Sequence, residues 1–211
     1  MEVSVSCEPF YDNLNELRRY LTELFILSKE MHISVHFDLF NWDDNILSIL
    51  GDNAYRIATH IHSRIPNLSR LLPQIFVFPF ASISVHIEQY NGKKLEDLFS
   101  RIRNARIKCG IAFDLSTCVD HFSNEIKSAD YITVMTTGLI KKDRNFNEEA
   151  LGKIEKIKAM KEVNVIVDGG VSENTILSIR RNKADIFVTG SYAEKFYKDG
   201  MLAYGLKLLL V

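Results

Sequence analysis

Apolar residues in this chain follow two alternating rhythms. Short runs rich in Val, Ile and Phe recur over residues 2–6, 33–38, 54–61, 81–87, 107–113, 131–135, 163–167 and 186–188, and each reads as a strand. Between them the period lengthens. Residues 13–30 carry Leu14, Leu17, Leu21, Leu24, Phe25 and Leu27 at helical spacing, and 93–103 put Leu95, Leu98, Phe99 and Ile102 on one face. Residues 148–160 do the same with Leu151, Ile154 and Ile157, opposite a face of Lys and Glu. Further helices are predicted over 42–51, closing at Gly51-Asp52-Asn53, over 66–72, with Pro66 near the first turn, over 116–122 and over 201–210. Another is predicted over 172–181, capped by Ser172 with Glu173 in its first turn.

Strict alternation of strands and helices argues for a parallel sheet covered by helices. Eight such units of similar length close into a (β/α)₈ TIM barrel, and residues 1–211 read as one α/β domain without a linker or low-complexity tract. An open doubly wound sheet is the alternative, but no glycine-rich turn follows the first strand.

Composition removes several classes of function. A formal charge of −1 gives no support to nucleic-acid or membrane binding. Cys7, Cys109 and Cys118 are odd in number and irregular in spacing, which points to a reducing compartment and away from disulfides or structural zinc. The N-terminal residues lack the pattern of a signal peptide, and no run approaches the roughly 20 apolar residues of a membrane span. A cytoplasmic protein is expected.

Polar residues interrupt the strands near their C-terminal ends. They are His36 and Asp38, His60 and His62, His86 and Glu88, Asp114 and Asp168. His36 and Asp38, two residues apart, share one face of a strand, and burying them unpartnered would cost several kcal/mol, on the order of an unpaired buried charge. A single strand-end histidine is ordinarily a hydrogen-bonded structural residue. Jointly, His36, Asp38, His60 and Asp168 form a competent shell for one divalent metal ion, whether zinc, iron, manganese or cobalt. Val167-Asp-Gly-Gly-Val171 and Thr189-Gly-Ser-Tyr192 add glycines where the last two strands turn. Such turns let a phosphate approach backbone N–H groups.

On these residues the sequence resembles the ribulose-phosphate 3-epimerase family, metal-dependent (β/α)₈ enzymes of the pentose phosphate pathway. His36-Phe-Asp38-Leu-Phe-Asn41 resembles the H-x-D-x-M-D segment, and His60-Ile-His62 with Pro66 resembles H-L-M-x-x-x-P. Ser84-Val-His-Ile-Glu88 is similar to T-x-H-x-E, Lys108-Cys-Gly-Ile-Ala112 to K-x-G-x-x, and residues 130–135 to the sixth strand ending in Met. Val167-Asp-Gly-Gly-Val171 matches V-D-G-G-V, and Gly190-Ser191 the phosphate-binding G-S. The resemblance implies His36, Asp38, His60 and Asp168 as metal ligands, with Asp38 and Asp168 as the two catalytic acid/bases. It implies substrate or phosphate contacts at Ser6, His60, Gly169, Gly170, Gly190 and Ser191. The implied reaction inverts carbon 3 of D-ribulose 5-phosphate, or a related ketose phosphate, by two-base proton transfer through a metal-stabilised enediolate. A phosphorylated sugar is then the partner, and a homo-oligomer the expected assembly.

Three departures stand out. The family's glycine-rich loop after strand six is replaced by Thr137-Gly-Leu-Ile-Lys-Lys-Asp-Arg144, where Lys141, Lys142 and Arg144 are candidate phosphate holders or a solvated charge run. Two methionines of the family site are Phe40 and His62 here, and His62 reads as a polar wall residue or an extra ligand. The segment between strands two and three is short and lacks the family's H-x-V-P-N loop. These changes sustain a second expectation, a non-catalytic epimerase-like paralogue with a binding or regulatory role. A third, another phosphosugar enzyme on a related barrel, lacks its usual catalytic lysine array.

Overall fold

The computed structural model describes residues 1–39, 43–138 and 145–211. Phe40 and the basic residues Lys141, Lys142 and Arg144 lie outside the described residues. Eight parallel strands close into a barrel in sequence order: β1 (Glu2–Ser6), β2 (Ile33–Leu39), β3 (Thr59–Ser63), β4 (Ser82–His86), β5 (Lys108–Phe113), β6 (Tyr131–Met135), β7 (Asn164–Asp168) and β8 (Ile186–Thr189). Pairing of β1 with β8, from Glu2↔Ile186 to Val5↔Thr189, shuts the ring and excludes the open doubly wound sheet.

Register explains how a chain with so many polar strand residues makes this barrel. Partners across β2 and β3 are His36↔His60 and Asp38↔His62, and across β4 and β5 Ser84↔Gly110 and His86↔Ala112. Side chains alternate between the two faces of a strand. Val3, Val5, Val35, Phe37, Ile61, Ile83 and Val85 therefore face outward and are buried beneath the helices. Ser4, Ser6, Ser34, His36, Asp38, His60, His62, Ser82, Ser84 and His86 face inward. The first four strands are thus alternating rather than continuously apolar. The large core lies between the barrel and its helices, whereas Tyr131, Ile166 and Val188, with Ile186 against them, form a small separate apolar cluster.

The polar interior is held by hydrogen bonds. Ser34 Oγ donates to Ser4 Oγ at 3.0 Å, and Ser82 Oγ donates to Tyr131 Oη at 2.9 Å. His60 Nδ1 lies 2.8 Å from Ser82 Oγ and joins this network. Room for the tyrosine comes from Gly110, where a Cβ would fall 2.4 Å from Tyr131 Cζ.

Among the described residues the α-helices are α1 (Leu14–Leu27), α2 (Asp44–Ala54), α3 (Leu72–Ile75), α4 (Gly92–Asn104), α5 (Ser123–Ser128), α6 (Gly152–Met160), α7 (Ile176–Arg181), α8 (Ser191–Lys198) and α9 (Leu202–Leu210). Asn13 caps α1 by accepting from Glu16 N, and Asp43 caps α2 by accepting from Asn45 N and Ile46 N. Each fully buried Leu or Ile on these helices stabilises the fold by about 1.5–3 kcal/mol.

Several boundaries differ from the sequence reading. Residues 54–58 end α2 and form a turn, so β3 begins only at Thr59. Gly51 does not stop that helix. It sits inside α2, where a Cβ would meet the Phe78 ring at 2.3 Å. Asn67 takes a left-handed conformation (φ 61°), which breaks the expected 66–72 helix into a 3-10 turn at Leu68–Arg70 and the short α3. The helix expected at 116–122 is a 3-10 turn, Val119–His121, ahead of α5. Ser172 caps nothing: its N–H donates to Thr175 Oγ1, and α7 starts at Ile176. Helix α8 is not predicted from the sequence, because Gly190-Ser191 reads only as a turn. The C-terminal Leu206 and Leu209 are core, buried in α9.

Candidate active site

Four inward-facing side chains meet at the C-terminal ends of β2, β3 and β7. His36, Asp38, His62 and Asp168 are all buried, and one ligand atom from each lies within 4.8 Å of every other. His62 Nδ1 is 3.3 Å from Asp38 Oδ1 and 3.5 Å from Asp168 Oδ2, and His36 Nε2 is 3.5 Å from Asp168 Oδ2. Four ligands about 2.1 Å from a common centre in a tetrahedron are about 3.4 Å apart. The His62–Asp38, His62–Asp168 and His36–Asp168 edges, at 3.3, 3.5 and 3.5 Å, have that length.

Hydrogen bonding points the same way. Among the described residues, neither His36 Nε2 nor either ring nitrogen of His62 has a hydrogen-bond partner. Leaving such a buried group unsatisfied costs about 1–3 kcal/mol. A cation between these atoms would remove that cost, so the residues present fit a divalent metal ion and could hold one.

Electrostatics separates the members. Burial holds the His36 imidazole below its ordinary value, although Asp168 and Asp38 pull upward. Burial alone would raise the Asp38 carboxyl, but the adjoining His62 and His36 rings outweigh it and keep the acid well below the usual carboxylate range. His62 shifts the other way: burial lowers it, and the two carboxylates more than compensate. A positive charge is favoured between Asp38 and Asp168, whether it is a proton or a metal ion.

The structure does not bring His60 into this group, although the family resemblance implied a metal and substrate role for it. His60 leaves β3 on the same face as His62 but two residues nearer the strand's start, where it bonds Ser82. Burial, with His36 and Lys108 nearby, lowers its imidazole to about 4. His62 occupies the corner instead. The sequence signal for it was present, since both histidines have inward parity, but parity gives a face and not a height.

A second polar group adjoins the first. His86 Nδ1 lies 2.9 Å from Asp114 Oδ1 and 3.6 Å from Glu88 Oε2. Glu88 accepts from the Asp114 backbone N–H at 3.0 Å and from the Thr117 hydroxyl, which fastens the ends of β4 and β5 together.

Asp38 and Asp168 open into a cavity of about 670 Å³. Its wall includes Ser6, Gly169, Gly170, Gly190 and Ser191, together with Arg64, which reading the strands did not single out. Gly169 (φ 110°) and Gly170 (φ 65°) have backbones that only glycine adopts readily. A Cβ on Gly169 would lie 2.3 Å from Thr137 Oγ1. Gly190 lies close against Ser6, at 3.4 Å from its added Cβ to the serine Cβ, and opens the N-terminus of α8. Ser6, expected from the first strand, therefore stands beside the Gly190 turn and lines the same cavity as Gly169 and Gly170.

The model of the ribulose-phosphate 3-epimerase family matches residues 46–193, more than half of the chain. The chain belongs to this family. A ribulose-phosphate 3-epimerase from Aquifex aeolicus is 26% identical over 152 residues, covering 65% of this chain and 68% of the relative. One from Chlamydia muridarum is 29% identical over 136 residues, covering 61% and 58%. The Mycoplasma genitalium epimerase is 26% identical over 128 residues, and the match spans 60% of its length. Residues 46–193 contain His60, His62, Asp168 and both glycine turns, whereas Ser6, His36 and Asp38 lie outside and reach the site through the closed barrel. Among solved structures, 3-hexulose-6-phosphate synthase superposes with a TM-score of 0.69 at 15% identity, covering 99% of this chain and 98% of that one. A tryptophan synthase α-subunit variant from Pyrococcus furiosus gives 0.74 at 12%, covering 99% and 96%. These two likenesses establish the barrel. No helix among the described residues is long and apolar enough to cross a membrane.

Proposed function

We propose that this family member is a divalent-cation-dependent epimerase that inverts carbon 3 of D-ribulose 5-phosphate or a related ketose phosphate. The observation that carries the reading is the buried His36–Asp38–His62–Asp168 group, which faces a cavity walled by two glycine turns. His36, Asp38, His62 and Asp168 would hold the cation, with His62 in the place first expected of His60. When bound, it supplies Lewis-acid neutralisation of the negative charge that develops on the substrate's carbonyl oxygen.

The rest of the chemistry belongs to the chain. Asp38, whose ionised form is favoured by its imidazole neighbours, removes the proton from carbon 3. Asp168, which reaches the same His62 nitrogen, returns a proton to the opposite face of that carbon. Both carboxylates contact His62 Nδ1. Gly169, Gly170, Gly190 and Ser191 bind the substrate phosphate through backbone N–H groups, helped by the N-terminal end of α8, and Ser6 orients the sugar. Burial of the carboxylates excludes bulk water from the planar, charge-rich intermediate state. A homo-oligomer is part of the same proposal.

The test is cation-reconstituted protein with ribulose 5-phosphate in deuterated water, followed by NMR. Deuterium entering at carbon 3, with xylulose 5-phosphate formed, supports the proposal. Exchange should disappear in Asp38→Asn and in Asp168→Asn.

A further inference from the structure

We propose that His86 is a positioning residue that holds the His62 ring by stacking; the inference rests on reading His62 as a cation-facing group. A cation-binding histidine ordinarily donates its other ring N–H to a carboxylate or carbonyl, and that bond fixes the rotation of the ring. His62 has no such bond. Its side chain is wholly buried, and among the described residues neither nitrogen has a hydrogen-bond partner.

What lies against it is the flat face of His86. The two rings are 4.7 Å apart and within 11° of parallel, while His36 meets His62 edge-on at 5.6 Å and 70°. A parallel plate on one face blocks rotations that would swing His62 Nδ1 away from Asp38 and Asp168. The plate has close polar neighbours. His86 Nδ1 lies 2.9 Å from Asp114 Oδ1, a contact without hydrogen-bond alignment, and Glu88 ties the Asp114 backbone to β4. Lys153 of α6 then clasps the carbonyls of Asp114 and Leu115, so a line of contacts runs from the outer helix layer to the site.

A space-filling role and a positioning role predict different outcomes for flat and non-flat replacements of similar size. In His86→Phe a plate remains; in His86→Leu the volume remains without the plate. Cobalt(II) serves as the probe, read by calorimetric affinity and by its visible d–d absorption. His86→Leu should lose about 10–100-fold in affinity with an altered spectrum, the range for removing a support of a metal-binding histidine, whereas His86→Phe should stay within about threefold of wild type. Metal-free urea unfolding of the two variants should be alike. Equal cobalt binding by both variants, or equal loss in both, overturns the proposal. If His86→Leu fails to fold, Asp114→Ala carries the test, because it leaves both rings in place and removes the carboxylate beside His86. A loss of about 3–10-fold is then expected, and no loss overturns the proposal. Wild-type protein that binds no cobalt would overturn the cation reading and this inference together. If His62→Ala abolishes binding while His86→Leu leaves it unchanged, only the stacking falls.

Discussion

His62 Nδ1 lies 3.3 Å from Asp38 Oδ1, whereas the resemblance implied His60, two residues earlier, as the metal histidine. Both imidazoles face into the barrel. Only the upper one reaches the carboxylates, and the lower one is engaged by Ser82 at 2.8 Å. His62, and not His60, is therefore the β3 imidazole that stands with Asp38 and Asp168.

This placement gives the first prediction. His62→Ala should weaken divalent-cation binding by at least about 100-fold, as loss of a direct ligand exceeds loss of its supports. His60→Gln, which keeps a donor toward Ser82, should change it by less than about threefold. Isothermal titration of both variants checks this, and the reverse ranking would return the metal role to His60.

His60 also makes a pH-dependent prediction for the metal-free protein. Its imidazole is lowered to about 4 in the fold, against an ordinary value near 6.5 in the unfolded chain. Above pH 6.5 both states are neutral there, and no penalty exists. As pH falls from 6.5 to 4, the unfolded chain takes up a proton that the native state refuses, so stability is lost across that window. The loss is on the order of 2–3 kcal/mol. Urea unfolding at pH 7 and pH 4.5 should show His60→Gln losing less stability than wild type by about this amount. Parallel losses in the two proteins would contradict it.

At the glycine turns, Gly169→Ala should be more damaging than Gly170→Ala. At position 169 the new Cβ meets Thr137 Oγ1 at 2.3 Å with φ at 110°; at 170 it meets Phe146 Cβ at 3.0 Å with φ at 65°. The left-handed conformation alone costs a non-glycine residue about 1–2 kcal/mol, and the closer clash adds to it at 169. Chemical unfolding of the two variants gives the ranking directly.

The sequence made the barrel legible because its two hydrophobic periods are clear and the strand ends carry the polar residues. It made His36 and Asp38 legible through parity, since Val35 and Phe37 occupy the opposite face, and Asp168 through its place at a strand end ahead of two glycines. It did not distinguish His60 from His62, because a period of two is blind to height along a strand. Gly51 read as a helix stop, yet its lack of a side chain serves the Phe78 ring rather than a turn. Gly190-Ser191 hid α8 for the converse reason, a glycine that opens a helix instead of ending one. The His86–His62 stack joins strands that are neighbours in the ring but separated in sequence, and no local pattern encodes the angle between two rings.

The most direct test of the central claim is solvent deuterium exchange at carbon 3 of ribulose 5-phosphate, measured by NMR with cation-loaded protein. The account predicts exchange coupled to inversion in the wild type, falling by about 10²–10⁴-fold in Asp38→Asn and in Asp168→Asn while both variants remain folded. Wild-type protein that binds the cation and the ketose phosphate but leaves the carbon-3 proton in place would contradict it, and would make this chain a binding protein on an epimerase barrel.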